Sequence, residues 1–417
     1  MVKLQPDRPL DLMIRGGRIV DPATGFDRTM DVGIIAGRIA VIEPRIVGRV
    51  APIRREHPPA LGTQVIDATG LLVVPGMIDL HGHVYTGVSP LTCPADAACA
   101  VGGVTTIVSA GDAGANTIDG FRRLVVDHSL TRVLAFLHIS TIGLSGWPVP
   151  EARDPDYLDV DAAVRAGELN RDIVVGIKVR MSKSTVGANG LIPLAKALNA
   201  AEQLGLPVMV HIGMTATPLA ALLSMLREGD IVTHCFAGGI NGIVENGTVI
   251  GEAFAAKNKG VLFDVGHGFG SFDYPVAERC ISQGLLPDTI STDLHSLSAG
   301  ASMQDLPTTM SKMLGLGMPL HEVLASVTNS PADAIHRGTE LGRLRVGAVA
   351  DITILELLST ESRLRDTSDN ERIVSSRLVA RYTIRAGHPM LGPFPHPGVA
   401  YAAPPRTSVE AGSPPGT

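Results

Sequence analysis

Gly70-Leu71-Leu72-Val73-Val74-Pro75-Gly76-Met77-Ile78-Asp79-Leu80-His81-Gly82-His83 is the stretch on which the reading of this chain turns. An apolar run that ends on two histidines reads as a buried β-strand with a site at its tip. Residues two apart on a strand point to the same face. His81 and His83 therefore aim their imidazoles together and supply half of a metal site. Alone, H-x-H is a weak signal, because histidine serves as ligand, proton carrier or bonded core residue.

Four more candidates stand near the ends of separate apolar runs. Lys178 lies in Ile173-Val174-Val175-Gly176-Ile177-Lys178-Val179-Arg180, and His211 ends Leu206-Pro207-Val208-Met209-Val210-His211. His234 lies in Asp230-Ile231-Val232-Thr233-His234-Cys235, and Asp293 in Thr289-Ile290-Ser291-Thr292-Asp293-Leu294-His295. A buried lysine or aspartate is costly unless it is paired or bound to metal. A lysine, an aspartate and four histidines in equivalent places on five strand-like runs point to one shared site, since barrel enzymes keep their catalytic groups at strand ends.

Working outward, short β-branched runs alternate with helix-like segments. The strand cores are 74–83, 104–110, 132–140, 173–180, 207–213, 231–236, 261–267 and 289–295. Continuous apolar strands between helices indicate a parallel sheet covered on both faces. Eight of them fit an α/β fold of the (β/α)8 TIM-barrel type. An open doubly wound sheet is the alternative, but no glycine-rich dinucleotide fingerprint follows the first strand. The two ends read differently. Residues 11–21, 30–43 and 63–67, and again 351–357 and 378–386, look like antiparallel strands joined by glycine turns. They predict a small β-sandwich made from residues 1–72 and 341–390, around a barrel over 73–340. Residues 47–62 read as a surface excursion, and 391–417, rich in Pro and Gly, as an irregular tail.

Composition narrows the function classes. Hydrophobic residues make up 45% of the 417, so a large core is available, and aromatics only 4%, so that core is aliphatic. The net charge of -6 contains no block of like charge, which argues against a nucleic-acid or acidic-membrane partner. Four cysteines without CxxC spacing imply no disulfide framework. No secretory h-region and no membrane-length apolar run is present, so a cytoplasmic protein is expected.

The motifs resemble those of the amidohydrolase superfamily of metal-dependent hydrolases, over most of the chain. Val74–His83 is similar to the family's first barrel strand. Lys178, His211, His234 and Asp293 follow the family's order on strands four, five, six and eight. Thr328-Asn329-Ser330-Pro331-Ala332 resembles the segment after the barrel, and Gly342–Asp351 the re-entry into the small domain. The strand-four lysine implies the binuclear group, in which carbon dioxide converts that lysine to a carbamate bridging two divalent ions. Gly111-Asp112-Ala113-Gly114-Ala115-Asn116 and Ile177-Lys178-Val179-Arg180 resemble the deacetylase branch, whose members hydrolyse small acyl esters or amides. Dihydroorotases and hydantoinases share the same six ligand types.

The resemblance implies that His81, His83 and Asp293 hold the more buried ion, His211 and His234 the more exposed one, and carbamylated Lys178 joins them. Zinc suits imidazole and carboxylate ligands, though Mn, Fe, Co and Ni are also compatible. A metal-bridging hydroxide would attack the scissile carbonyl, and Asp293 would take its proton and pass it to the leaving group. Arg180, two residues beyond Lys178, has two readings: a bidentate clamp for a substrate carboxylate, or a salt bridge among the loops. His267 likewise either bonds the substrate or developing oxyanion, or is a bonded structural histidine. His295 shares strand parity with Asp293 and is a candidate to orient it. His138, near the end of the third run, receives no role.

The expected function is therefore hydrolysis of an acyl ester or amide in a small, carboxylate-bearing substrate by a homo-oligomeric enzyme. A cyclic amide or imide hydrolase of the dihydroorotase or hydantoinase type is the alternative. A catalytically silent scaffold is a third reading, opposed by the survival of all six ligand types.

Overall fold

The computed structural model describes residues 8–49, 63–298 and 305–391. The expected surface excursion over 47–62 and the tail over 391–417 lie outside them, apart from residues 47–49 and 391.

The opening run forms two strands in two different sheets. Leu72–Pro75 pairs in parallel with Leu12–Asp21 and antiparallel with Ile352–Arg365, both from the chain ends. Met77–Gly82 pairs with Val104–Gly114 and opens the barrel. The change of sheet falls at Pro75-Gly76. A Cβ on Gly76 would lie 2.3 Å from Thr105 Oγ1 and 2.9 Å from Asp351 Cβ, so glycine lets the two layers meet. The barrel thus begins at Met77 rather than at 73. Apolarity runs through the junction because every residue of both strands is buried.

Seven parallel strands follow in chain order around a curled sheet: Met77–Gly82, Val104–Gly114, Arg132–His138, Val174–Arg180, Val208–His211, Ile231–Thr233 and Leu262–Asp264. The eighth run, 289–295, spans the gap between the first and last of them through single bridges, Asp264 with Thr289 and Gly82 with Leu294. On one side His267 N–H donates to Ser291 O; on the other Asp293 N–H donates to His81 O. The fold is a TIM barrel. Its last strand is irregular because Asp293 adopts a left-handed φ of 49°, which breaks extended pairing.

Helices alternate with these strands much as the apolar spacing predicts. Val160–Leu169 starts where the Asp159 side chain accepts from Ala162 N–H, and Ile192–Leu204 stops at left-handed Gly205. Ile78, Leu80, Leu134, Phe136, Met209 and Ile231 form a cluster with Ala332, Ala334 and Ile335. The short helix Asn329–Ala334 therefore closes the barrel at the end where the strands start. Each aliphatic side chain buried this way contributes about 1.5–3 kcal/mol.

The chain ends meet in one continuous eight-stranded sheet with its own apolar cluster, including Leu12, Ile14, Val32, Ile34, Ile352 and Ile384. It is mixed rather than wholly antiparallel as expected, because Leu12–Asp21 runs parallel to Gln64–Asp67 and Leu72–Pro75. Two strands are longer than the apolar pattern suggests, Ile352–Arg365 and Glu371–Arg385. Their outer halves form a largely exposed ribbon with no continuous apolar face to read. Beyond it the barrel is met directly: Asp366 Oδ2 accepts from Tyr274 N–H at 2.8 Å. No helix among the described residues is long and apolar enough to cross a membrane.

Candidate active site

The barrel brings all six candidate ligands to the ends of its strands. Asp293 Oδ1 lies 3.2 Å from His81 Nε2 and 3.0 Å from His83 Nε2. His234 Nε2 lies 2.8 Å from His211 Nδ1, and Lys178 Nζ lies 3.4 Å from His81 Nε2. His81, His234 and Asp293 each place a ligand atom within 4.8 Å of the others. Two of these residues hold left-handed backbone, His234 at φ 70° and Asp293 at φ 49°, a costly conformation that the surroundings must enforce.

The outer partners of the four imidazoles fix their tautomers. Thr233 Oγ1 donates to Asp264 Oδ2 at 2.7 Å, so it accepts the Nδ1–H of His81 at 2.8 Å. His83 Nδ1–H donates to Asp112 Oδ1 at 2.7 Å, and His234 Nδ1–H to Gly266 O at 2.6 Å. Ser182 Oγ donates to Gly213 O at 2.8 Å and so accepts His211 Nε2–H at 3.1 Å. Every ring thus carries a proton on its outer nitrogen; the inner nitrogens of His81, His211 and His234 turn a lone pair inward, and that of His83 faces Asp293. Lone pairs facing each other at 2.8 Å, beside a carboxylate oxygen, repel unless a cation lies among them. The donor set fits a divalent metal and its outer partners are those that metal-binding histidines use.

Charge states agree with this arrangement. Burial holds His81 and His211 well below the usual histidine range and His234 at about 4, so these rings are neutral. Burial opposes a charge on His83 too, but Asp112 and Asp293 outweigh it and lift the ring to about 9, so this position calls for a positive charge. Burial alone would raise Asp293, yet His81 and His83 hold it well below the usual carboxylate range. Burial brings the Lys178 amine down to about 7. Its methylenes lie against Gly111, where a Cβ would sit 2.7 Å from Lys178 Cγ and φ is +94°.

Arg180 stands beside this cluster, paired in register with His211 on the next strand. Its Nη1 lies 3.4 Å from Glu151 Oε1. His267 follows the seventh strand and is wholly buried. Its Nδ1 contacts Gly268 O at 3.0 Å, its Nε2 meets Lys312 Nζ at 2.7 Å, and its ring stacks on Phe272 at 4.5 Å. Both nitrogens are engaged, so the bonded structural reading is the one the geometry supports. His295 Nδ1 accepts from Leu297 N–H at 3.2 Å, and no hydrogen bond joins its ring to Asp293 among the described residues.

Sequence reading missed Asp112, Asp264, Glu151, His138 and Lys312. Asp112 lies in a motif and was given no role there; its place just past the apolar run 104–110 was the available signal. Asp264 accepts from Thr233, Thr289 and Ser291 and is wholly buried. Nothing local marks Glu151, which lies in a long loop yet is only 4% exposed.

Comparison with known proteins places this geometry. The model of the amidohydrolase family matches residues 72–379. The chain is similar to a deacetylase of Agrobacterium fabrum, 36% identical over 81% of this chain and 83% of that protein. It is similar to a solved structure described as a dihydroorotase, with a TM-score of 0.83, 32% identity and coverage of 91% and 99% of the two chains. It is equally similar to one described as an adenine deaminase, with a TM-score of 0.82, 32% identity and the same coverage. By family match, barrel and site, the chain belongs to the amidohydrolase family and is a hydrolase.

Proposed function

We propose that this protein is a metal-dependent deacetylase, cleaving an acyl ester or amide bond of a small carboxylate-bearing substrate. The four histidines around Asp293, each held by its outer nitrogen with the other turned inward, carry the metal dependence. The acyl specificity rests on the similarity to the deacetylase and on Arg180 beside the cluster.

In this reading His81, His83 and Asp293 would hold one divalent ion and His211 and His234 a second, with Lys178, as a carbamate, a ligand they would share. Carbamate formation joins the neutral Nζ to carbon dioxide and releases one proton. The burial that lowers the amine keeps it neutral for that step. Ions of the zinc class, when bound, supply an acidified water and a polarised scissile carbonyl. Asp293 takes the proton of the attacking water on its carboxylate and delivers it to the leaving alkoxide or amine. Arg180 orients the substrate by its carboxylate. Thr233, Asp112, Gly266 and Ser182 hold the four rings in place throughout.

Cyclic amide hydrolysis is the second reading, favoured by the similarity to the dihydroorotase structure. Parallel turnover assays on acetylated hydroxy acids, N-acyl amino acids and cyclic ureides separate the two. The deacetylase reading expects the highest kcat/KM among the acetylated acids; a preference for cyclic ureides overturns it.

A further inference from the structure

Beyond the third barrel strand, a loop returns Glu151 to the edge of the site. Glu151 is buried, and its Oε1 lies 3.4 Å from both Arg180 Nη1 and His138 Nε2. Its Oε2 also lies 3.5 Å from Arg180 Nη1. His138, fully buried, takes Ser140 N–H on Nδ1 at 2.9 Å. The neutral ring therefore carries its proton on Nε2, which lies near Glu151 Oε1 without forming a hydrogen bond to it. This trio touches the site through the backbone as well, because His138 pairs in register with Lys178.

The guanidinium needs such an anchor. Arg180 stands in register with His211 on the neighbouring strand, and a divalent ion held by that cluster would repel its charge. Unanchored, a long arginine side chain next to a positive centre swings toward solvent. Glu151 engages Nη1 alone. Among the described residues no protein acceptor takes Nε or Nη2, and the Arg180 side chain keeps 20% of its surface exposed. One corner is pinned, and one two-donor edge is open to a planar anion.

We propose that Glu151 is a positioning residue that holds Arg180 over the metal cluster, so that its free Nε–Nη2 edge selects substrates bearing one carboxylate near the acyl group. This rests on the reading of Arg180 as the substrate's carboxylate partner. It adds the residue that makes that partner available, and a reason why Arg180 stays beside a cationic centre.

The test uses the metal-loaded full chain and compares an acetylated hydroxy acid with its neutral methyl ester. Glu151→Gln keeps the shape and removes the anion. Its KM for the acid should rise at least about tenfold, as expected for a misplaced charge-assisted contact. Its kcat, its metal content and its kinetics on the ester should stay near those of the native protein. Glu151→Asp, which restores the charge on a shorter arm, should fall between the two. Arg180→Met run alongside should lose far more on the acid than on the ester. If Arg180→Met discriminates but Glu151→Gln binds the acid as well as the native protein or better, Glu151 is only a damping counter-ion and the proposal fails alone. If Arg180→Met weakens both substrates equally, the carboxylate reading of Arg180 fails and takes the proposal with it. Equal losses of Glu151→Gln on both substrates, with a lowered Tm, assign Glu151 to folding and also overturn it.

Discussion

Asp112→Asn should weaken metal binding about 10–100-fold, or about 1.4–2.8 kcal/mol, without unfolding the barrel. The figure follows from how the carboxylate is used. Oδ1 takes the Nδ1–H of His83 at 2.7 Å. Oδ2 takes Val84 N–H at 2.7 Å, Tyr85 N–H at 3.2 Å and the Ser109 hydroxyl at 2.9 Å. Asparagine offers one accepting oxygen and one donating nitrogen. With its oxygen toward the backbone amides, its NH2 confronts His83 Nδ1–H, and the ring must move its proton to Nε2, where the metal needs a lone pair. With its oxygen toward His83, its NH2 confronts three donors, and buried N–H groups lose their acceptor at about 1–3 kcal/mol each. Either orientation also removes a full negative charge from behind the ligand. Competition against a chelator at fixed pH reads the affinity, and a thermal melt of the same sample reports folding. Ser109→Ala, which removes one donor from Oδ2, should show a smaller loss. A folded Asp112→Asn protein with native metal affinity would refute the claim that His83 is a ligand set by Asp112.

Further outcomes follow from the same geometry. Asp293→Asn should abolish most turnover, since an amide accepts no proton from the water and coordinates weakly; near-native turnover at full metal occupancy would remove Asp293 from proton transfer. Gly268→Ala should lower both Tm and turnover, because φ is +56° there and the new Cβ would sit 2.4 Å from Asp293 Oδ2; an unchanged Tm would mean the loop yields freely. Reconstitution of metal-free protein at constant dissolved carbon dioxide should depend on pH through Lys178. Burial lowers this amine to about 7, so its reactive neutral form grows as pH rises through 7 and is nearly complete about one unit above. Metal retained after desalting should plateau accordingly; a rise that continues toward pH 10 would indicate an ordinary, unburied lysine.

What the sequence made legible followed periodicity and type. Eight apolar runs were enough to anticipate the barrel, and strand-end histidines, a lysine and an aspartate on five of them marked residues that it brings together. Alternation within a strand survives folding, so the shared face of Lys178 and Arg180 could be read directly. The switch of sheets at Pro75-Gly76 was hidden, because both strands are buried on both faces and read as one apolar run. The contacts of His267 and His295 are made with partners remote in sequence or in local turns: Lys312 is 45 residues from His267. Glu151 was invisible for the opposite reason. An acidic residue in a loop reads as solvated, and only the approach of His138 and Arg180 shows that it is buried and charged. Burial alone would raise its carboxyl, but those two neighbours outweigh it and hold it below the usual range.

Native mass spectrometry of the purified, active protein tests the central claim most directly, because it weighs bound metal and the lysine modification together. The account predicts two divalent ions per chain and one carbon dioxide equivalent on Lys178, lost together on acidification. Active protein carrying a single ion and an unmodified Lys178 would contradict it.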